Sequence, residues 1–377
     1  MYSLTSYALH PSPPLTNKEE WKEIVRPRQG VTYIALFEDH VPASGAAGTA
    51  MIQNVRGKLF DAHGIWGVAT APAARRNGYC RRVIAALLAA GRDDGQAFST
   101  LYPFRESFYE RMGYVTFPLP RIAKFAPSAV ASLLARDLGG RVEHVLIGDG
   151  FDAYRDYMAR LRLRTHGMGF FVYGDKVGAQ RNRFWLALAM VGGEPAGMML
   201  YDLKGEEETK YLFRAIRFYY ETSEARTLLL KWIARHVDQV DRVELWLSPA
   251  EQPETWLADM QVKTESDIRA PMGRVLDVAR LGGMTTGPGR FAARIADPLC
   301  PWNEGVWQFE TADGALRVDP GGPPDCDLAI QGLTALVYGT HDPDDFAIRG
   351  WGDPSPEVQA AMRGVFPRMV PHLHERF

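Results

Sequence analysis

Between Ile65 and Arg92 the hydrophobic period changes from about two to about 3.6 within a few residues. Ile65–Ala69 (IWGVA) reads as a strand and a loop of proline, arginine and glycine follows. Tyr79–Arg92 then reads as an amphipathic helix, with Cys80, Val83, Ile84, Leu87 and Leu88 at i, i+3, i+4 spacing. A strand that feeds a helix in this way asks for an α/β layer, not an all-β sandwich. The flanking residues agree. They predict a charged helix at Asn17–Val25 and strands at Val31–Phe37 and Gly48–Val55, parted by a turn-rich loop around Pro42–Ala47. A short strand closed by Leu101, a helix at Glu106–Met112 and a strand at Tyr114–Phe117 complete the first part.

The alternation returns in a middle part. Strands at Phe184–Val191 and Ala196–Leu203 are joined by Gly192-Gly193, a hairpin turn. A helix at Ser223–Val237 carries Leu228, Leu229, Trp232, Ile233 and His236 on one face, and a strand follows at Val243–Leu247. The last part opens with Gly282-Gly283 and Gly287-Pro288-Gly289. Short strands at Arg290–Ile295, Val306–Phe309 and Ala315–Val318 precede helical stretches at Gly332–Tyr338 and Pro356–Arg363, an α+β module. We therefore expect three domains, 1–125, 126–280 and 281–377, which suits 377 residues at about 150 per domain.

Charge excludes some functions. Forty-three Lys and Arg against 45 Asp and Glu give a net charge of -2, so no basic surface for nucleic acid or a membrane is expected. No apolar run approaches the roughly 18 residues of a spanning helix. Met1–Leu15 is polar and proline-rich, without a basic region followed by an apolar one, so a cytoplasmic protein is expected. Cys80, Cys300 and Cys326 lie far apart with no CxxC pair, which argues against disulfides and against zinc. Cys80 reads as a small hydrophobe on the buried helix face. His372 and His374 alone approach ligand spacing, and with no third ligand in sight no metal is expected.

The chemistry concentrates in the 65–82 segment. N–H groups at a helix start, backed by the helix dipole, bind phosphate without dedicated side chains. Gly78 lets a ligand approach the backbone, and Arg75 and Arg76 can add bidentate contacts to a pyrophosphate. From spacing alone, a plain strand–turn–helix connection with two solvated arginines explains the segment equally well.

Val68, Thr70, Pro72, Arg75, Gly78 and Cys80 resemble the acyl-CoA pyrophosphate loop of the GNAT superfamily of N-acetyltransferases, with Cys80 where that family prefers glycine or alanine. Phe108-Tyr109-Glu110-Arg111-Met112-Gly113-Tyr114 matches the same family's F-Y-x-x-x-G-[FY] element. Over nearly its full length the chain is similar to the enhanced intracellular survival (Eis) acetyltransferases, on the strength of Ser99–Tyr114, Tyr219–Leu247, Trp302–Val318, Leu333–Gly339 and a final phenylalanine. The resemblance implies tandem GNAT folds, each a mixed sheet flanked by helices, followed by a sterol-carrier-protein-like α+β domain. The second GNAT domain, without an R-x-x-G-x-G loop between Tyr220 and Leu228, is expected to bind no cofactor.

That resemblance also implies roles. Acetyl-CoA is the co-substrate, held by Val68, Ala69, Thr70, Arg75, Arg76, Asn77, Gly78, Tyr79, Cys80, Arg81, Phe104 and Arg105, with backbone N–H groups of Val68–Thr70 polarising the thioester carbonyl. Tyr109 is the general acid, while Phe108 and Tyr114 read as core. A phenol near pKa 10 protonates a thiolate near 8.5 uphill by roughly 2 kcal/mol. The α-carboxylate of Phe377 is the base. Its gap of about 7 units from an alkylammonium suits it better to attracting and orienting the amine than to direct deprotonation. The acceptor is a primary amine, of an aminoglycoside-like polyamine or a lysine side chain, although Arg376 would repel a polycation. The chain also begins late against the family pattern, Leu4–Pro14 resembling the end of its first helix. A homo-oligomer, hexamer or trimer, is implied. A non-catalytic GNAT scaffold, or a lipid carrier using Phe291, Ile295, Val306, Trp307 and Phe309, is the alternative.

Overall fold

The computed structural model describes residues 1–173, 183–205, 210–266, 269–375 and 377. They form two compact units: Met1–Pro118 with Arg162–Gly174 and Arg269–Phe377, and Leu119–Leu161 with Asp175–Ile268.

The first unit opens with helices α1 (Tyr2–Leu9) and α2 (Lys18–Val25). The Asn17 side chain caps α2, accepting from the Glu19 and Glu20 backbone N–H groups at 2.9 and 3.3 Å. Strands β1 (Val31–Glu38), β2 (Val41–Val55) and β3 (Lys58–Thr70), helix α3 (Tyr79–Asp93), strand β4 (Phe98–Leu101), helix α4 (Glu106–Glu110) and strand β5 (Val115–Thr116) follow. The sheet order is β1-β2-β3-β4, then Met272–Val275, then β5, with Gly169–Phe171 paired to β2. Only β3 and β4 run parallel, as the α3 crossover between them requires. One sheet face packs on α3, where Val83, Ile84, Leu87 and Leu88 meet Ala46, Ile65 and Leu101 in one buried cluster.

The turn-rich loop expected at Pro42–Ala47 is instead strand, since β2 runs unbroken from Val41. Small residues imitate loop composition, but here they serve close packing. Ala43, Ala46 and Ala47 are buried, the Ser44 hydroxyl donates to the Ala69 carbonyl at 3.0 Å, and the Met1 side chain presses on Gly45. Met272–Val275 had no expectation attached to it, yet it bonds to β4 on one side and β5 on the other. Its Arg274 is fully buried and forms a 2.5 Å ion pair with Asp297, which also accepts from the Asn303 amide at 2.9 Å. Arg274 donates to the Met112 carbonyl as well, which fixes the chain just beyond α4.

A four-stranded sheet of Arg290–Ala296, Gly305–Ala312, Ala315–Pro320 and Cys326–Ala329 completes this unit, with helices Ile330–Tyr338 and Pro356–Val365 packed on it. Arg56, 1% exposed, donates to the carbonyls of Leu336, Val337 and Pro367. It thereby satisfies the C-terminal end of helix Ile330–Tyr338, where a cation meets the negative end of the dipole. Burial lowers its pKa to about 10.

The second unit is a seven-stranded sheet, ordered Lys263–Ser266, Arg121–Phe125, Val240–Leu247, Tyr211–Tyr220, Glu194–Lys204, Trp185–Val191, Arg141–Leu146. Gly192 and Gly193 both take positive φ, as the tight hairpin turn demands. Helix Ser223–Ala234 buries Leu228, Leu229 and Ile233, and its first turn is closed by the Thr222 hydroxyl, which accepts from Ala225 N–H at 3.1 Å. Among the described residues no helix is long and apolar enough to cross a membrane.

Candidate active site

The site begins with an irregularity in β3. Gly45 pairs with Ala69 and Ala47 with Trp66, so Gly67 and Val68 together oppose Ala46. This is a bulge, and Gly67 adopts φ +64° there. A bulge takes backbone groups out of the ladder and bends the strand, which frees N–H groups at the C-terminal end of β3 for another partner. Beyond Thr70 the chain turns through Pro72–Ala74, passes Arg76 and Gly78 at φ +69° and +76°, and enters α3. Gly78 is the N-cap and no side chain caps the helix, so its leading N–H groups are left for water or a ligand.

A cavity of about 850 Å³ opens at this point. Every residue expected on the acyl-CoA side lines it except Asn77, whose side chain hydrogen-bonds the Tyr79 hydroxyl instead. That hydroxyl also donates to Glu38 at 2.7 Å. Arg75, Arg76, Arg81 and Arg105 bring positive charge to the rim, and Phe104, 68% exposed, forms one apolar wall. The lining includes Ala8, Leu9, Ala74, Phe108 and Met112, which sequence reasoning left out. Ala8 and Leu9 carry no local signal for such a place, whereas Phe108 and Met112 lie inside the FYERMGY element.

Cys80 and Phe108 pack against the buried cluster beneath α3, as expected, and face the cavity as well. Cys80 is half-buried and faces the cavity from the first turn of α3. Burial pushes its thiol up to about 11, against a hydrogen bond with the Thr70 side chain that lowers it. Phe108, expected in the core, is likewise half-buried and lines the cavity.

Tyr109 is 3% exposed and packs edge-on to Phe108 at 5.1 Å and Phe104 at 5.7 Å. Burial, then the neighbouring Cys80 and Tyr114 groups, hold its phenol well above the ordinary range. Tyr114 is fully buried with its hydroxyl 2.7 Å from that of Ser99.

Phe377 lies elsewhere on β3. Its ring covers Gly64, 5.7 Å from Tyr102 and 5.2 Å from Phe171. The preceding tail is held along residues 166–171: His372 N–H donates to the His166 carbonyl at 2.9 Å, and the His374 ring meets Phe170 at 5.0 Å. Gly64 and Val68 are separated by about 13 Å of strand. The residues expected to hold acetyl-CoA, Asn77 apart, thus line one cavity; Tyr109 is buried behind its wall, packed on Phe104 and Phe108 without lining it, and Phe377 stands one strand segment away. Arg376 lies outside the described residues. Among those described, no group of three His, Cys, Asp or Glu is placed to hold a metal ion.

Residues 1–117 and 173–280 each match an acetyltransferase (GNAT) domain, and residues 270–373 match a sterol carrier protein domain. No curated protein matches the chain. Among solved structures, a GCN5-related N-acetyltransferase from Anabaena variabilis superposes with a TM-score of 0.83 at 18% identity, over 98% of this chain and 95% of that one. A GCN5-related N-acetyltransferase from Kribbella flavida gives 0.79 at 19%, over 100% and 95%. Eis1 from Mycobacterium abscessus gives 0.73 at 17%, over 92% and 90%. At such identities the likeness is one of fold.

Proposed function

We propose that this chain, which carries two GNAT acetyltransferase domains followed by a sterol carrier protein domain, is an N-acetyltransferase that moves an acetyl group from acetyl-CoA to a primary amine. One observation carries the reading. The bulged end of β3 and the uncapped start of α3 share a cavity of about 850 Å³ rimmed by arginines. Its residues suit the co-substrate: N–H groups of the first helical turn and Arg75, Arg76 and Arg81 for a pyrophosphate, and Phe104 and Phe108 for the slender apolar arm.

Acetyl-CoA supplies the activated acetyl group. Of the expected Val68–Thr70, Ala69 and Thr70 are in register with β2, so the backbone N–H groups of the bulge, Gly67–Val68, polarise its carbonyl. The Tyr109 hydroxyl donates a hydrogen bond toward the departing sulfur. Its raised pKa makes full proton transfer steeper than for an ordinary phenol, so donation comes before transfer. The α-carboxylate of Phe377 attracts and orients the ammonium. We propose the same protein as a cytoplasmic homo-oligomer, for which elution size is the check.

The lipid-carrier alternative draws little from its supporting residues. Phe291, Ile295 and Phe309 are buried in the core of the four-stranded sheet and Val306 and Trp307 are half-buried, while the nearby groove of about 650 Å³, which Ile295, Leu328 and Trp351 also line, carries Arg294, Glu304 and Asp327.

The test is release of free CoA thiol from acetyl-CoA across a panel of polyamines, aminoglycosides, lysine peptides and small monoamines. Turnover with any member supports the reading. Silence across the panel in a protein that still binds acetyl-CoA overturns it in favour of a non-catalytic scaffold.

A further inference from the structure

The second unit carries a cavity of about 290 Å³ that acetyl transfer does not use. Helix Ser223–Ala234 and the residue that ends it turn one stripe toward this space: Leu228, Lys231, Trp232 and Arg235, at i, i+3, i+4 and i+7. The stripe mixes two apolar side chains with two cations, where a helix face laid on a plain core is apolar throughout. Arg141 and Val142 line the cavity from strand Arg141–Leu146, and Asp137 lines it from the preceding loop.

The aromatic wall is fixed in place from behind. The Trp232 indole N–H donates to the Tyr201 hydroxyl at 3.2 Å, and that hydroxyl stands 2.8 Å from His144 Nε2. An indole nitrogen can only donate, so the Tyr201 oxygen accepts there and keeps its own proton for the imidazole. The His144 ring lies 5.0 Å from Trp232 and 4.5 Å from Trp185, and the His236 ring lies 5.6 Å from Trp232. Burial lowers the pKa of both imidazoles, so these neighbours are neutral at pH 7. Trp232 is half-buried, and the part of its ring that they leave free faces the cavity.

The charge around the cavity is less fully engaged. Lys231 donates one N–H to the Arg136 carbonyl, which leaves two of its three. Arg235 is exposed and, among the described residues, makes no ion pair. Arg141 is paired with Glu143. Cations in a last helical turn also settle the helix dipole, but that does not call for Arg141 from a separate strand or for an open space between them. Lys231 and Arg235 are one turn apart, about 5–6 Å between β-carbons. The oxygens of one phosphate or carboxylate can bridge that span.

These features select a ligand. A cation would be repelled by Lys231 and Arg235, and a neutral apolar molecule would cover both without giving either a partner. An anion carried on a planar ring satisfies both needs, its oxygens taking the two cations and its ring lying against the indole. The space suits a single ring, being smaller than most cavities that hold larger ligands. We infer that the second unit binds a small planar aromatic anion, an aryl phosphate or aryl carboxylate, with its oxygens on Lys231 and Arg235 and its ring on Trp232.

The test is calorimetric titration of the full-length protein with phenyl phosphate and with benzoate, against inorganic phosphate and phenol as the separate halves. One aryl anion should bind per chain, about tenfold or more tighter than inorganic phosphate or phenol. Arg235→Gln, at an exposed position, should weaken it about tenfold with the melting temperature held. Alanine at both Arg75 and Arg76 should leave it unchanged, which places the ligand in this cavity and not beside α3. Binding of either aryl anion with that pattern supports the inference, whether or not any amine is acetylated. It is overturned if neither aryl anion binds, if inorganic phosphate binds as tightly, if Arg235→Gln leaves the affinity intact, or if the Arg75 and Arg76 replacements abolish it.

Discussion

The ring of Phe377 lies so close over Gly64 that a β-carbon on that glycine would come within 2.7 Å of it. Met51 Sδ stands 2.9 Å from the same point, so the site has no slack. Gly64→Val should displace the terminal residue, cut kcat/KM for the acceptor at least tenfold and cost about 1–3 kcal/mol of stability through overpacking. Acetyl-CoA affinity should hold, because Gly64 does not line that cavity. Steady-state kinetics with a denaturation curve separates the two effects.

Tyr109→Phe keeps the ring contacts with Phe104 and Phe108 and removes only the hydroxyl. In the proposed role its kcat should fall about 100-fold or more with KM for acetyl-CoA little changed. The raised pKa fixes the sign of the pH dependence. The protonated phenol persists below its folded pKa, so no alkaline limb due to Tyr109 should appear up to about pH 10. Unchanged turnover in Tyr109→Phe would remove the residue from the mechanism.

Arg75 and Arg76 are exposed at the rim of the cavity, and replacing both with alanine should leave the melting temperature nearly untouched. Their loss should raise KM for acetyl-CoA by about tenfold and flatten its dependence on salt, since screening acts on charges no longer present. A salt titration of KM in wild type and the double variant reads this directly.

Arg274 and Asp297 are 0% and 1% exposed and face each other at 2.5 Å. Removing one partner strands a buried charge, so Asp297→Ala should destabilise the protein by about 3–5 kcal/mol. Arg274 also holds the Met112 carbonyl, so activity should fall together with stability as α4 loosens. Urea unfolding followed by tryptophan fluorescence would measure the first part.

His63 and His166 are buried, and desolvation lowers each imidazole to about 4. A folded pKa below the unfolded value near 6.5 means that the unfolded chain takes up protons first as pH falls. Their stabilisation is therefore whole above about pH 6.5 and lost progressively toward pH 4, by about 3 kcal/mol each. Melting temperatures between pH 7 and 4 should show the decline, and a flat profile would show that these imidazoles stay solvated.

What could be read along the chain was what neighbours in sequence decide. The charged helix from Asn17, the hairpin at Gly192-Gly193, the buried row of α3 and its glycine start depend on residues within about one turn of one another. Periodicity and turn chemistry report such relations faithfully. The expected residues that line the cavity could be gathered for the same reason, lying on one strand–loop–helix and one short helix. Tertiary structure alone decided the rest. Met272–Val275 enters the sheet between β4 and β5, the alanines of β2 become strand because α1 and α3 need close approach, and Phe377 settles over Gly64 between Tyr102 and Phe171. Those partners are far apart in the chain, where local pattern carries no information. Burial of apolar surface and pairing of backbone groups choose them only once the sheet has closed.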